Sequence, residues 1–271
     1  MGAETPVDLW RSAVAADPAR PFVTAYDPDT GGRVELSFAT VDNWVAKTAN
    51  MLVDGLGVEP GDRVALALPP HWQSLVWLLA CFSTGATAVL GEAGEVPEGD
   101  VAVADPARVS AALDTGAREV VGTSLHPLGA PMADCPPTAL DYTVEVRGYG
   151  DRFFPAAPVD PDTLALAGPP GGPEGRTGAQ LVDAARRRLA GWGLTSADRV
   201  AMITSARDSL TVLGSDLSLL LGPVAGAVPL VLIPDGESTT LQARLGMERA
   251  TAIAGARPGT PAIAESLKPL T

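Results

Sequence analysis

The sequence predicts an α/β fold of two pseudo-symmetric subdomains, each a mainly parallel sheet flanked by helices. Short apolar runs alternate with helical patterns along most of the chain, which is typical of such sheets. Residues 57–65 (GVEPGDRVA) also match residues 193–201 (GLTSADRVA), and each copy is preceded by a helical pattern and followed by a second helix and an apolar strand. Two copies are too few for a solenoid, so we interpret the repeat as a pair of related subdomains.

We assign residues 1–125 to the first subdomain. Its strongest signals are an amphipathic pattern at 41–56 and a turn-rich stretch at 27–32 that indicates a β-hairpin. The predicted elements, in order, are a helix at 7–16, strands 22–26 and 34–38, a helix at 41–56, strand 63–68, a helix at 72–83, strands 86–90 and 101–104, a helix at 106–115, and strand 119–122.

Residues 126–162 lack clear periodicity and predict a connecting segment with weak strands at 143–146 and 152–154. Residues 163–256 form the predicted second subdomain, and residues 257–271 a flexible tail. Ser205 and Asp208 have capping-box spacing ahead of the next helix. The predicted elements of the second subdomain are strand 164–167, a helix at 181–192, strand 199–203, a helix at 210–221, strand 227–233, a helix at 241–248, and strand 251–254.

The junction of the two subdomains carries the candidate ligand site. An apolar strand leads into residues 168–175 (GPPGGPEG), and a helical pattern follows; strand, Gly-rich loop and helix form a common phosphate-binding arrangement. The candidate nucleotide contacts are Gly168, Gly171, Gly172, Glu174 and Gly175. However, the loop's three prolines have no N–H to donate, and its one charge is negative. The sequence therefore predicts the outline of a phosphate loop without its chemistry, and no catalytic residue or metal ligand.

Composition limits the partners that the chain can take. The 271 residues carry a formal net charge of −13, which repels nucleic acid. Glycines and prolines interrupt the most apolar window, residues 217–233, so we predict no membrane association. The N-terminus lacks an apolar signal-peptide core, and we expect a cytoplasmic protein. Cys81, in an apolar run, is expected to be a buried free thiol.

Several polar residues invite a functional interpretation, but a structural one is favoured. Asp62 and Asp198 are expected to close turns, with the following arginines opening strands. His71 follows a predicted strand at the sheet edge where α/β proteins bind ligands, yet a lone surface histidine is the commoner case. Residues 186–188 (RRR) are interpreted as a solvated helix face rather than an anion site.

Five segments resemble the adenylate-forming enzymes: the acyl-CoA synthetases, peptide-synthetase adenylation domains and luciferases. These segments are residues 36–38, 57–65, 79–86, 194–200 and 221–232. The order holds over about the first 255 residues, and the chain is most similar to a short actinobacterial group of distant AMP-binding-enzyme relatives. The resemblance implies the α/β fold of the family's N-terminal domain, without a counterpart of its small C-terminal domain.

The resemblance also shows what has changed in the loop. The family's loop reads Ser/Thr-Gly-Ser/Thr-Thr-Gly-x-Pro-Lys-Gly. When it is laid on this chain without gaps, Ala167, Pro169 and Pro170 replace hydroxyl residues, and Glu174 replaces the lysine. A degenerate relative that binds a small acyl-like ligand or a protein partner is therefore the main hypothesis, with no cofactor.

Two alternatives remain open. One is an AMP-forming acid–thiol ligase completed by another chain, which would use ATP or AMP with Mg²⁺. The other is a structural subunit that pairs through the apolar residues 217–233. A homodimer or a protein partner is expected because exposed apolar surface favours association.

Overall fold

A computed structural model describes residues 4–168, 175–256 and 266–270 of the chain. These residues form a six-stranded sheet and a seven-stranded sheet. The strands are β1 (Pro21–Tyr26), β2 (Arg33–Ser37), β3 (Arg63–Ala67), β4 (Thr87–Leu90), β5 (Val101–Ala104), β6 (Glu119–Gly122), β7 (Leu140–Asp141), β8 (Leu164–Ala167), β9 (Arg176–Thr177), β10 (Val200–Thr204), β11 (Leu230–Pro234), β12 (Ala252–Ala254) and β13 (Lys268–Pro269).

One helix precedes the first strand, and the others lie between strands along the chain. The helices are α1 (Pro6–Ala16), α2 (Phe38–Asn50), α3 (Trp72–Thr84), α4 (Val109–Ala112), α5 (Tyr142–Glu145), α6 (Gly178–Trp192), α7 (Ser218–Ala225) and α8 (Ser238–Met247). A π-helical turn, Met51–Gly55, extends α2, and 3-10 turns occur at Val146–Gly148 and Leu210–Leu213.

The two sheets repeat one strand order, which confirms the predicted pseudo-symmetric α/β architecture. One sheet runs β13-β12-β10-β11-β1-β2 and the other β7-β6-β5-β3-β4-β8-β9. In each sheet, the strand that begins at the end of the repeated segment, β3 or β10, pairs in parallel with two neighbours. Each sheet ends in one antiparallel strand, β2 or β9.

Each half of the chain contributes its first two strands to the sheet of the other half. We call the seven-stranded sheet, which contains β3, the first sheet, and the six-stranded sheet, which contains β10, the second sheet. The hairpin β1–β2 joins the second sheet by parallel pairing of β1 with β11. In return, β8 and β9 join the first sheet, where β8 pairs with β4. The boundaries predicted at 125 and 163 therefore do not divide the sheets. Each sheet takes most of its strands from one half of the chain and its last two strands from the other half.

The matched turns ahead of β3 and β10 have the same hydrogen bonds. The Asp62 carboxylate accepts from the N–H of Glu59 at 3.1 Å, and the Asp198 carboxylate accepts from the N–H of Thr195 at 2.7 Å. These aspartates close turns, as the sequence predicts. Arg63 opens β3, whereas Arg199 lies one residue before β10.

Four local predictions are wrong. Residues 143–146 and 152–154 are not strands: the first segment continues a helix that Asp141 caps by accepting from the N–H groups of Thr143 and Val144. The helix predicted at 210–221 is divided into a 3-10 turn and α7, because Gly214 at φ +95° interrupts it. Residues 106–115 contain only the short helix α4.

The core continues from one sheet to the other through buried helices. Every residue of α3 is buried, and α1 packs against α3, α6 and α7. Trp10 of α1 contacts the rings of Phe22 and Phe38, with centroids 5.0 Å and 5.5 Å away. Burying a side chain of this size stabilises the fold by roughly 1.5–3 kcal/mol. Trp10 therefore holds α1 against β1, through Phe22, and against the start of α2, through Phe38.

A network of charged side chains connects β1 and β2 with the segment that follows α8. Glu248 is 1% exposed and accepts hydrogen bonds from Tyr26 at 2.6 Å and from Arg33 at 2.7 Å. Arg199 lies 3.2 Å from the same carboxylate. Burial alone would raise the pKa of Glu248, but these partners outweigh it and lower that pKa. The network ties β1 and β2 to the segment after α8.

Two other predictions concern the edges of the fold. The described end of the predicted flexible tail, residues 266–270, contains β13, which pairs in parallel with β12. The apolar residues 217–233 form α7 and β11, whose side chains are mostly buried, so this region is not a free pairing surface. Among the described helices, none has the length and apolar character needed to cross a membrane.

Candidate ligand site

A cavity lies beside the exchanged strands β8 and β9, and we call it the junction cavity. Its volume is about 130 Å³. The carboxyl ends of the parallel strands β4 and β8 form one wall, and the segment after β10 forms the other. Carboxyl edges of parallel sheets are the usual ligand sites of α/β folds. The lining residues are Leu90, Glu92, Leu166, Ala167, Gly168, Gly175, Arg176, Thr211, Gly214 and Ser215.

The two ends of the predicted phosphate loop lie at this cavity. Gly168 and Gly175, the two ends of the loop, both line it, whereas Gly171, Gly172 and Glu174 lie outside the described residues. Gly175 is required by close packing: a Cβ there would lie 2.5 Å from the Leu164 side chain and 2.8 Å from the Leu166 carbonyl oxygen. The second contact is with backbone, which cannot move aside as a side chain can. Glycine at 175 therefore lets β9 approach β8.

Arg176 brings a cation to the cavity wall. It is half-buried, opens β9, and pairs in antiparallel register with Leu166. Within the described part of the chain it makes no ion pair. The next residue, Thr177, caps the 15-residue helix α6 by accepting from the N–H of Gln180. Arg176 is therefore a half-buried cation at this cavity, and Glu92 brings an opposite charge to the same cavity.

The opposite wall combines polar side chains with an unusual backbone. The Thr211 and Ser209 hydroxyls lie 2.6 Å apart, and Ser215 is exposed at the cavity. Leu217, buried and two residues further on, has φ +52°. A leucine in the left-handed region costs roughly 1–2 kcal/mol. The fold maintains this strain where the segment 214–217 turns away from the cavity and into α7.

A buried ion pair joins the two sheets beside this site. Asp105 and Arg108 lie 3.2 Å apart, with side chains 8% and 10% exposed. Arg108 also donates to the carbonyl oxygens of Ala67, at the end of β3, and Asp208, after β10, each at 3.4 Å. Burial raises the pKa of Asp105, and the charge of Arg108 opposes that rise. The guanidinium therefore links the carboxyl edges of both sheets.

The histidines have structural roles. His71 Nδ1 accepts from the N–H of Gln73 at 3.3 Å and caps α3, and burial lowers the pKa of His71 to about 3. His126 Nδ1 accepts from the N–H of Leu128 at 3.1 Å. Among the described residues, no group of three or more histidine, cysteine or acidic side chains is placed to hold a metal ion.

The remaining candidate groups lie away from the junction cavity. Arg186 pairs with Glu4, while Arg187 and Arg188 line a separate surface depression near Trp192. Cys81 is a buried free thiol, as predicted, and burial raises its pKa to about 12. A thiol held in this protonated state is a poor nucleophile.

Sequence reasoning missed Arg176 and the segment 211–215. The signal for Arg176 was a lone cation directly after the Gly/Pro loop, where the following helix begins. The segment 211–215 was assigned to one continuous helix, although Gly214, Ser215 and Asp216 are turn-forming residues in the middle of that helix.

The comparisons with known proteins identify the family. The family model described as AMP-binding enzyme matches residues 10–166, more than half of the chain. The chain belongs to the AMP-binding enzyme family. It is 34% identical over 243 residues to the TIGR03089 family protein of Mycobacterium tuberculosis, a match that covers 88% of this chain and 93% of that relative. The predicted resemblance to adenylate-forming enzymes is confirmed.

Solved structures of an acyl-CoA synthetase and a CoA ligase share the fold. An acyl-CoA synthetase of Brucella canis superposes with a TM-score of 0.72 at 17% identity, over 92% of this chain and 47% of that enzyme. The anthranilate CoA ligase AuaEII, in complex with anthranoyl-AMP, superposes with a TM-score of 0.72 at 16% identity, over 93% of this chain and 50% of that ligase. The chain therefore spans about half the length of these enzymes.

Proposed function

We propose that this AMP-binding-family chain is non-catalytic and binds a small acyl-like ligand in the junction cavity. The observation that carries the proposal is the composition of the loop whose two ends, Gly168 and Gly175, line the cavity. Ala167, Pro169 and Pro170 stand where the family's loop has hydroxyl residues, and Glu174 stands where it has lysine. The position is kept, but the groups that hold a phosphate are replaced.

The size of this loss supports a protein without nucleotide turnover. Hydrogen bonds to charged groups contribute roughly 1.5–3 kcal/mol each. Several such bonds would be missing along a polyphosphate, which corresponds to a loss of affinity of several powers of ten. Glu174 adds repulsion of a phosphate where the lysine would have provided attraction.

The cavity supports a small acyl-like ligand. About 130 Å³ is the volume of roughly four water molecules in the liquid, which suits a short acyl chain. Leu90, Leu166 and Ala167 supply apolar surface, and Thr211 and Ser215 supply hydroxyl groups. Apolar walls with a few polar groups are typical of small-molecule sites. The related ligase AuaEII holds anthranoyl-AMP, an acyl-adenylate.

Calorimetric titration with hexanoate tests whether the cavity binds an acyl chain. We expect saturable binding that Ser215→Trp abolishes, because the exposed Ser215 lines the cavity and an indole would fill it. Ser110→Trp is the matched control, since Ser110 is an exposed serine on α4 outside the cavity. Absence of binding, or equal binding by both tryptophan variants, would contradict a ligand role for this cavity.

Catalysis is tested separately by carboxylate-dependent pyrophosphate exchange. We expect no exchange with any carboxylic acid, and none after Glu174→Lys, because the lysine alone does not replace the missing hydroxyl donors. Exchange by the unmodified chain would disprove the non-catalytic assignment.

A second candidate is an AMP-forming acid–thiol ligase that needs a further segment or another chain. It is favoured by one observation: the chain spans about half the length of the solved acyl-CoA synthetase and ligase. In that case the loop at the cavity would contact ATP or AMP with Mg²⁺. Binding of ATP at micromolar concentrations would favour this candidate over the non-catalytic one.

A further inference from the structure

We propose that Arg176 anchors the carboxylate of the ligand, so that the junction cavity selects a free carboxylic acid over the corresponding amide, ester or thioester. The inference rests on the proposed function, because it takes this cavity as the ligand site. It goes further in naming the charged group that the ligand must carry and the side chain that recognises it.

The first argument is the charge on the cavity wall. Arg176 lines the cavity, is half-buried, and has no ion-pair partner among the described residues. Other guanidinium groups that lie close to a carboxylate are ion-paired, as in Arg33 with Glu35 and Arg108 with Asp105. A half-buried cation beside apolar surface gains most from an anion that brings its own apolar body. A guanidinium also matches the two oxygens of a carboxylate.

The second argument is the backbone that holds Arg176. Arg176 lies in β9 and pairs with Leu166 of β8. Thr177, directly after it, caps α6. Strand pairing and a helix cap fix the position of the Cα at the cavity edge. An acid bound with its chain on Leu90 and Leu166 would therefore meet a preorganised cation.

The other charge at the cavity favours one orientation of the ligand. Glu92 follows β4, is exposed, and makes no ion pair with a described residue. It repels a carboxylate, but solvent screens an exposed charge more than a half-buried one. The acid group is therefore directed to Arg176, and the acyl chain extends along the apolar wall.

The test compares the affinities of hexanoate and hexanamide, which differ in charge but hardly in size. We expect the unmodified chain to prefer hexanoate by about ten- to a hundredfold. In Arg176→Met the preference should fall to about one, with hexanamide affinity unchanged. Arg176→Lys should keep part of the preference, since it keeps the charge but not the fork. Arg187→Met is the control, because Arg187 is exposed in a different depression.

The outcomes separate this inference from the proposed function. Equal affinity for acid and amide in the unmodified chain, or an undiminished preference in Arg176→Met, would overturn the carboxylate anchor and leave an acyl-binding cavity. Binding of neither compound would overturn both. Circular dichroism of Arg176→Met, expected to match the unmodified chain, identifies any loss that is due to misfolding.

Discussion

At the scale of single residues, His71 links folding to pH. Its Nδ1 caps α3, and burial lowers the pKa of His71 from 6.5 to about 3. The unfolded chain therefore takes up a proton near pH 6.5, whereas the folded chain does so only near pH 3. Because the unfolded state binds more protons in this window, the free energy of unfolding falls as the pH falls from 6.5 towards 3.

His71→Asn is predicted to flatten the pH dependence of stability between pH 6.5 and 5. The asparagine oxygen can still accept from the helix N–H, but it does not titrate. The slope removed should approach about 1.4 kcal/mol per pH unit. Urea unfolding at several pH values measures it. An unchanged slope in His71→Asn would contradict the assigned role.

At the scale of elements, the exchanged hairpins make the two halves interdependent. β1–β2 completes the second sheet, and β8–β9 completes the first. We predict that residues 1–150 and 151–271 each fail to fold when expressed alone, and form a soluble complex when expressed together. Size-exclusion chromatography and circular dichroism measure this. A folded, monomeric 1–150 fragment would contradict the exchange.

Arg108 is the element-scale contact whose loss should cost most. Arg108→Met leaves the buried Asp105 carboxylate without its cation, and breaking a buried pair costs roughly 3–5 kcal/mol. Asp105→Asn with Arg108→Met should recover much of that loss, because no uncompensated charge is left. Urea unfolding of the single and double variants measures the coupling. Additive losses would show that the pair does not act as a unit.

The sequence predicts repeated units better than it predicts which sheet each unit joins. Alternating patterns located most strands, and the turns at Asp62 and Asp198 were recognised because a short polar motif forms its hydrogen bonds locally. The exchange of β1–β2 and β8–β9 is a long-range pairing, and local periodicity carries no information on it. Arg176 was missed for a related reason. Its importance depends on a cavity that three separate segments build.

At the scale of the whole molecule, charge and apolar surface act in opposite directions. The net charge of −13 opposes self-association, whereas the exposed side chains of Leu128, Phe154 and Met247, at 77%, 82% and 68%, favour it. A homodimer stays a prediction. Light scattering should show a dimer whose fraction rises with salt, because salt screens the repulsion. A monomer at every protein and salt concentration would contradict it.

We propose that this member of the AMP-binding enzyme family does not bind nucleotide. Calorimetric titration of the unmodified chain with ATP·Mg²⁺ tests it most directly. Three prolines in the loop lack N–H donors, and Glu174 opposes phosphate charge. The predicted result is no measurable heat of binding for ATP·Mg²⁺, beside clear saturation with hexanoate in the same preparation. Micromolar ATP binding would contradict the claim and make the nucleotide-using ligase the better description of this chain.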